Sequence, residues 1–207
     1  MDNFENTISI VRERLLKDLP GSEVQNRMAP SFRVGFPFRK HPNSATRQSA
    51  VLICIYPEQF EAATILIKRS TYNGPHSGQV SFPGGKYDET DESLVQTALR
   101  EAQEEVGIAP SDLEVIGCLT PLFIPVTNMQ VLPVVGVMLN PPTLHPNLQE
   151  VEYPILAKLS DFKNPQNSSV KTLRVLGFPI SAPYYSIGGE HVWGATAMII
   201  SEFTELY

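Results

Sequence analysis

The chain has 207 residues, 42% hydrophobic and 18% charged, which is enough apolar material for one folded domain with terminal additions and too much for a disordered one. A formal net charge of −6 with no basic cluster argues against general nucleic-acid binding, and no run approaches the roughly 18–20 apolar residues of a membrane span.

The opening stretch, MDNFENTISIVRERLLKDLPG, lacks a basic start followed by an apolar block, so it does not read as a secretory signal. Phe4, Ile8, Val11 and Leu15 recur at helical spacing until Pro20-Gly21, which predicts an amphipathic helix packed on the domain with Arg12, Arg14 and Lys17 solvated. Residues 1–27 are read as this helix and arm, and residues 28–207 as the domain itself. Gly21 to Ser49 is polar with scattered prolines and Phe32, Phe36 and Phe38, an irregular arm wrapping the core. Ala50–Tyr56 and Ala62–Lys68 are β-branched-rich runs around a short loop, hence a strand pair. Cys54 and Cys118 each sit in an apolar strand-like run and read as buried free thiols of a reducing compartment, so the expected location is cytoplasmic.

Gln79–Phe82 leads into Phe82-Pro83-Gly84-Gly85, whose paired glycines permit a sharp turn. A helix follows: Asp88, Thr90 and Asp91 offer capping oxygens, Glu92 suits the first turn, and Gly107 fits a left-handed stop. At about 100° per residue, Val95, Ala98, Leu99, Ala102 and Val106 fall in one arc and Glu101, Glu104 and Glu105 in the next. Beyond it, Leu113–Leu119 is strand-like, Thr120–Gln130 a loop, and Val131–Leu139 a strand in which Pro133 predicts an edge or bulge position. Asn140–Asn147 is a proline-rich loop, Glu150–Leu159 returns to the fold, and Asp161–Ser169 is a polar turn region. Val192–Tyr207 should close the chain as a helix. Strands with a few helices between them predict a mixed sheet sandwiched by helices.

Three carboxylates spaced i, i+3, i+4 repel one another unless a cation sits among them, and hard, oxygen-preferring Mg²⁺ is the natural one. The plainer alternative is a solvated acidic face with Arg100 and Glu104 as an ordinary i, i+4 pair. Context separates the two. The glycine turn, Glu92 and the run Arg100-Glu101-Ala102-Gln103-Glu104-Glu105-Val106-Gly107-Ile108 resemble the Nudix box, Gly-x5-Glu-x7-Arg-Glu-U-x-Glu-Glu-x-Gly-U, with U an aliphatic or similar residue. One departure is visible: Lys86 stands where the box has its glycine, and Gly85 lies one residue early.

Upstream, ILIKRSTYNGPHSGQVSFPGG (residues 65–85) resembles the added signature of the coenzyme A pyrophosphatases, a Nudix subfamily, through Arg69, Ser70, Gly78 and Phe82-Pro83-Gly84-Gly85. The resemblance extends over about residues 28–203, with echoes in Val134-Val135-Gly136, Glu150-Val151 and Trp193-Gly194-x-Thr196-Ala197. Ile67 and Gly74 depart from the signature, and Gly74 replaces an arginine that would grip phosphate. The resemblance implies an α/β Nudix fold with an added N-terminal helix, and metal-dependent cleavage of a nucleoside diphosphate derivative. For coenzyme A the products are 3′,5′-ADP and 4′-phosphopantetheine. A homodimer stays open as the assembly.

The implied cofactor is Mg²⁺ or Mn²⁺, held by Glu101 and Glu105, with Glu104 a third ligand or acting through water. Arg100 orients one of these carboxylates, and Gly84 and Gly85 let backbone amides approach metal or phosphate. Arg69 and Lys86 are phosphate candidates, or else partners of the acidic loop. His76 is either a substrate contact or a surface loop histidine, and Glu150 is either the base for the attacking water or a solvated glutamate. Two other functions remain in view: a Nudix hydrolase of another dinucleotide such as NADH or ADP-ribose, and a Nudix-fold binding module without turnover.

Overall fold

Apolar residues alternate to both sides of β1 (Arg47–Glu58) and β2 (Glu61–Arg69), because this hairpin runs through the centre of a sheet covered on both faces. The computed structural model describes residues 4–31, 41–71, 77–175 and 178–207. The two strands pair only from Ile55↔Thr64 to Glu58↔Glu61 and then splay. The gap is filled by β3 (Val80–Ser81), which pairs with β2, and β4 (Gly84–Lys86), which pairs with β1. Between them Pro83 accepts the Leu52 N–H. This wedge carries the glycine turn into the middle of the sheet.

β7 (Met129–Val137) runs parallel to β1 and antiparallel to β5 (Glu114–Cys118) and β6 (Leu122–Ile124), while β8 (Val151–Lys158) covers the other side of β2. The helix α3 (Leu94–Val106) lies on one face, where Ala98, Ala102 and Val106 meet Leu52, Cys54, Ile65 and Ile67. On the other face, α1 (Phe4–Leu15) and α5 (Ala195–Phe203) bury Val11, Met198 and Phe203 against Ile53, Ile55 and Leu66. The mixed sheet between helices, with an N-terminal helix added, is therefore the observed architecture. No helix among the described residues is long and apolar enough to cross a membrane.

Several elements differ from the sequence expectation. The arm contains a short helix α2 (Gly21–Gln25) and a 3₁₀ turn (Asn26–Met28), because Val24 and Met28 are buried; Phe32, Phe36 and Phe38 lie outside the described residues. The loop expected at 120–130 contains β6. Pro133 is not on a sheet edge: its carbonyl accepts the Leu119 N–H, so its donorless nitrogen faces the break where β5 gives way to β6. The polar turn region holds α4 (Leu159–Lys163) and the start of β9. A separate antiparallel sheet, β9 (Ser168–Val175), β10 (Phe178–Ile187) and β11 (Glu190–Trp193), was not anticipated, and it takes Val192 and Trp193 out of the final helix. Cys54 is buried, Cys118 half-buried, and both are free.

Candidate active site

The acidic helix begins two residues later than a cap at Asp91, the last of the capping candidates, would place it. Ser93 is the N-cap, its hydroxyl accepting the Gln96 N–H at 3.2 Å, while Gln96 Oε1 accepts the Glu92 N–H. Gly107 ends the helix in the left-handed conformation at φ 79°, with Ile108 N–H reaching back to the Ala102 carbonyl.

Asp91, freed from capping, turns inward. It is buried and takes a forked pair of bonds from Arg100, Nε to Oδ1 at 2.8 Å and Nη2 to Oδ2 at 3.0 Å, plus the Thr97 hydroxyl at 2.8 Å. The Arg100 guanidinium holds the Asp91 carboxyl well below the usual carboxylate range, with burial opposing it and the Asp88 N–H and Thr97 hydroxyl helping. Glu92 is exposed. Thus the interval Gly-x5-acid is kept by Gly85 and Asp91, and the extra residue falls between that acid and the arginine. The early position of Gly85 was the available clue that Asp91, rather than Glu92, is the partner of Arg100.

Arg100 also reaches forward. Its Nη1 lies 3.0 Å from Glu101 Oε1 and 3.1 Å from Glu104 Oε2, and Nη2 donates to the Lys86 carbonyl at 3.2 Å. Glu101 rests on the glycine turn: a Cβ on Gly85 would lie 2.3 Å from its carboxyl carbon, so any side chain there would displace the Glu101 carboxylate. Gly84, at φ 153°, is packed as closely against Ala50 and Val51. Glu105 is 1% exposed; Oε2 accepts the Gly84 N–H at 2.8 Å and Oε1 accepts Arg69 Nη1 at 3.0 Å. Burial pushes the Glu105 carboxyl up to about 7, against the pull of the Gly84 N–H and Arg69 and with a further push from Glu101 and Glu150. Burial also raises Glu101, Arg100 counteracts it, and Glu104 and Glu150 add to it.

Glu150 therefore lies within electrostatic reach of both helix carboxylates. Its side chain is exposed, and its backbone is pinned by Ser70 N–H to its carbonyl and by its own N–H to Asn147. Arg69 and Lys68, consecutive on β2 opposite a bulge in β8, take different partners: Arg69 joins Glu105, while Lys68 pairs with Glu190 at 2.6 Å. The Lys86 side chain is exposed, and only its carbonyl joins the cluster. His76 and Gly74 lie outside the described residues. As the side chains stand, no three His, Cys, Asp or Glu among the described residues are gathered as a metal shell, because Arg69, Arg100 and the Gly84 amide occupy the carboxylates instead.

A NUDIX domain family model matches residues 46–162, the segment from β1 to α4 that contains this site. Among curated proteins, the uncharacterized Nudix hydrolase NudL of Pectobacterium atrosepticum is 37% identical over 190 residues, covering 88% of this chain and 94% of that protein. The protein of the same name from Citrobacter koseri is 41% identical over 167 residues, covering 75% and 80%. Among solved structures, a C. elegans Ap4A hydrolase binary complex is similar at 24% identity and TM-score 0.48, over 56% of this chain and 82% of that one. The NUDIX domain of Shewanella oneidensis NrtR complexed with ADP ribose is similar at 21% identity and TM-score 0.45, over 63% and 83%.

Proposed function

This chain belongs to the Nudix hydrolase family, and from that premise we propose that it cleaves the diphosphate of coenzyme A, or of its oxidised or acyl forms, in a reaction dependent on Mg²⁺ or Mn²⁺. The observation that carries the reading is the contact between Arg69 and Glu105. It joins the upstream signature, which resembles that of coenzyme A pyrophosphatases, to the acids of the box in one site.

The donor set suits a hard divalent cation. Besides burial, Glu101 and Glu150 push the Glu105 carboxyl upward and Glu104 and Glu150 push that of Glu101, so local positive charge is in short supply, and all their donors are oxygens. Glu101 and Glu105 would hold the ion, with Glu104 a third ligand or acting through water. When bound, such an ion neutralises diphosphate charge and lowers the pKa of a bound water. The chain's own groups do the rest. Arg100, anchored by Asp91, fixes Glu101 and Glu104 in direction. Gly84 and Gly85 keep the backbone close enough for amides to face phosphate. Arg69, Lys86 and His76 are the cations assigned to the substrate. Glu150 takes the proton of the attacking water as the water oxygen bonds to phosphorus and the bridging P–O bond breaks.

The test is a product assay with coenzyme A, NADH and ADP-ribose in parallel. Release of 3′,5′-ADP from coenzyme A at the highest kcat/KM is the expected result. Faster cleavage of another dinucleotide, the outcome Gly74 favours by removing a phosphate-gripping arginine, overturns the coenzyme A assignment and keeps the hydrolase chemistry. A protein that binds metal and nucleotide but cleaves none of the three is a binding module.

A further inference from the structure

The loop between β7 and β8 is clasped to the end of the acidic helix. The last carbonyls of α3 have no partner inside the helix, and this loop supplies donors to two of them: His145 N–H to the Val106 carbonyl and Asn147 N–H to the Glu105 carbonyl, each at 2.9 Å. Pro146, between the two donors, has no N–H to leave unpaired. Gly107 makes room for the clasp, since a Cβ there would lie 3.0 Å from His145 Cβ. Asn147 then opens a single helical turn. Its carbonyl accepts the N–H groups of Glu150 at 3.0 Å and Val151 at 2.8 Å, and its side-chain Oδ1 accepts the Gln149 N–H at 3.1 Å, the bond of a capping asparagine.

This turn closes a circuit around the acidic centre. Backbone bonds lead from Glu105 through Asn147 to Glu150, whose carbonyl accepts the Ser70 N–H at 2.8 Å. Arg69, next to Ser70, returns to the Glu105 carboxylate at 3.0 Å. The main chain of Glu150 is thus fixed relative to Glu105 from two sides, although its side chain is exposed. A glutamate that only solvates the surface requires no such fixing. Arg69 enters the circuit by its own bond to the acids, Asn147 by a side-chain bond that shapes the turn.

We propose that Asn147 is a positioning residue for the hydrolysis: by capping this turn it holds Glu150 at a set distance from Glu105, where the Glu150 carboxylate meets the water that attacks phosphorus. The role is exercised through Glu150 and rests on the reading of Glu150 as the base. Loss of the cap loosens the turn and misplaces that base. The acids of α3 keep their own anchors in Arg69, Arg100 and the Gly84 N–H.

The experiment measures kcat, KM and calorimetric Mn²⁺ affinity for Asn147→Ala, Asn147→Ser, Glu150→Gln and the Asn147→Ala/Glu150→Gln double variant. The substrate is whichever of coenzyme A, NADH and ADP-ribose the full chain cleaves fastest. Asn147→Ala should lower kcat by about tenfold or more, with KM and Mn²⁺ affinity within about twofold of wild type. Asn147→Ser, whose hydroxyl also caps, should recover kcat to within about threefold of wild type. In the Glu150→Gln background, Asn147→Ala should make no further difference. An unchanged kcat in Asn147→Ala, a matching loss of Mn²⁺ affinity, no recovery with serine, or an undiminished effect beside Glu150→Gln overturns the role. Glu150→Gln reports separately on the base. If it is slow while Asn147→Ala matches wild type, the positioning role alone is rejected; if its kcat is that of wild type, the base is rejected and the positioning with it. Turnover of none of the three substrates rejects the role together with the hydrolase reading.

Discussion

Glu105, proposed above as a metal ligand, works against the fold that holds it. Its carboxyl is buried and raised to about 7, whereas an unfolded glutamate titrates near 4.5. The sign is therefore the reverse of the usual carboxylate case. In chelator, the site contributes nothing adverse below the unfolded value, and costs stability progressively as pH rises from there through about 7. The cost is on the order of 2–4 kcal/mol. Glu105→Gln should remove this slope, leaving metal-free protein at pH 8 no less stable than wild type, while kcat/KM falls by about 100-fold or more. Urea unfolding at pH 5 and pH 8 with assays alongside checks both, and a variant that keeps full activity is lost from the ligand set. Asp91 behaves in the ordinary way: depressed by Arg100, it stabilises above the usual aspartate range, and that contribution disappears only in strong acid. Asp91→Asn should therefore cost about 2–3 kcal/mol at neutral pH and loosen Arg100 from Glu101, whereas Glu92→Gln should stay within about 0.5 kcal/mol. Equal effects from the two would mean that the Asp91–Arg100 fork adds no more than an exposed glutamate does.

Among the elements, the hairpin at the sheet centre carries a correctable strain. Gln59 and Phe60 have φ of 49° and 82° and form its two-residue turn, a geometry that favours Asn-Gly. Phe60 is 89% exposed, so its ring contributes little packing, and its carbonyl still serves to receive the Phe4 N–H. Phe60→Gly should accordingly stabilise by about 1 kcal/mol, read as a higher urea midpoint with unchanged slope; a lower midpoint would show that the ring matters. The same comparison shows what was legible. The central strands and α3 were readable because their apolar residues repeat at a local period and because Gly107 stops the helix. β9 to β11 were not, since SSVKTLRV and FPISAPYYSI mix polar residues and prolines and are held by pairing with one another. At the site, the acids of α3 and the glycine turn stood out in the chain. The inward turn of Asp91 did not, because it depends on Ser93 taking the cap.

Over the whole molecule, the least local feature is Glu202, on α5, which is fully buried on the sheet face opposite α3. No cation pairs with it among the described residues. Its Oε1 accepts the N–H groups of Gly21 at 3.1 Å and Thr120 at 3.2 Å, and its Oε2 accepts Gln25 Nε2 at 2.7 Å. Gln25 Nε2 in turn reaches the Thr120 carbonyl at 2.9 Å. Two distant segments thus converge on one carboxylate carried by a third, and nothing in the spacing of residues 21, 25, 120 and 202 announces it. A carboxylate is the one side chain of this length that presents two acceptors to these three donors. Glu202→Gln replaces one oxygen with an NH₂ group, so a donor must face either the two backbone N–H groups or Gln25. Rotating the Gln25 amide relieves the second clash only by abandoning the Thr120 carbonyl. The substitution should cost about 1–3 kcal/mol, and Glu202→Ala, which strands all three donors, more than that. Because the acids of α3 lie across the sheet, kcat of the folded fraction should be unaffected. Urea unfolding paired with assays well below the transition separates the two effects: lost activity at unchanged stability would place Glu202 in the catalytic path, and neither change would mean that water readily replaces the carboxylate.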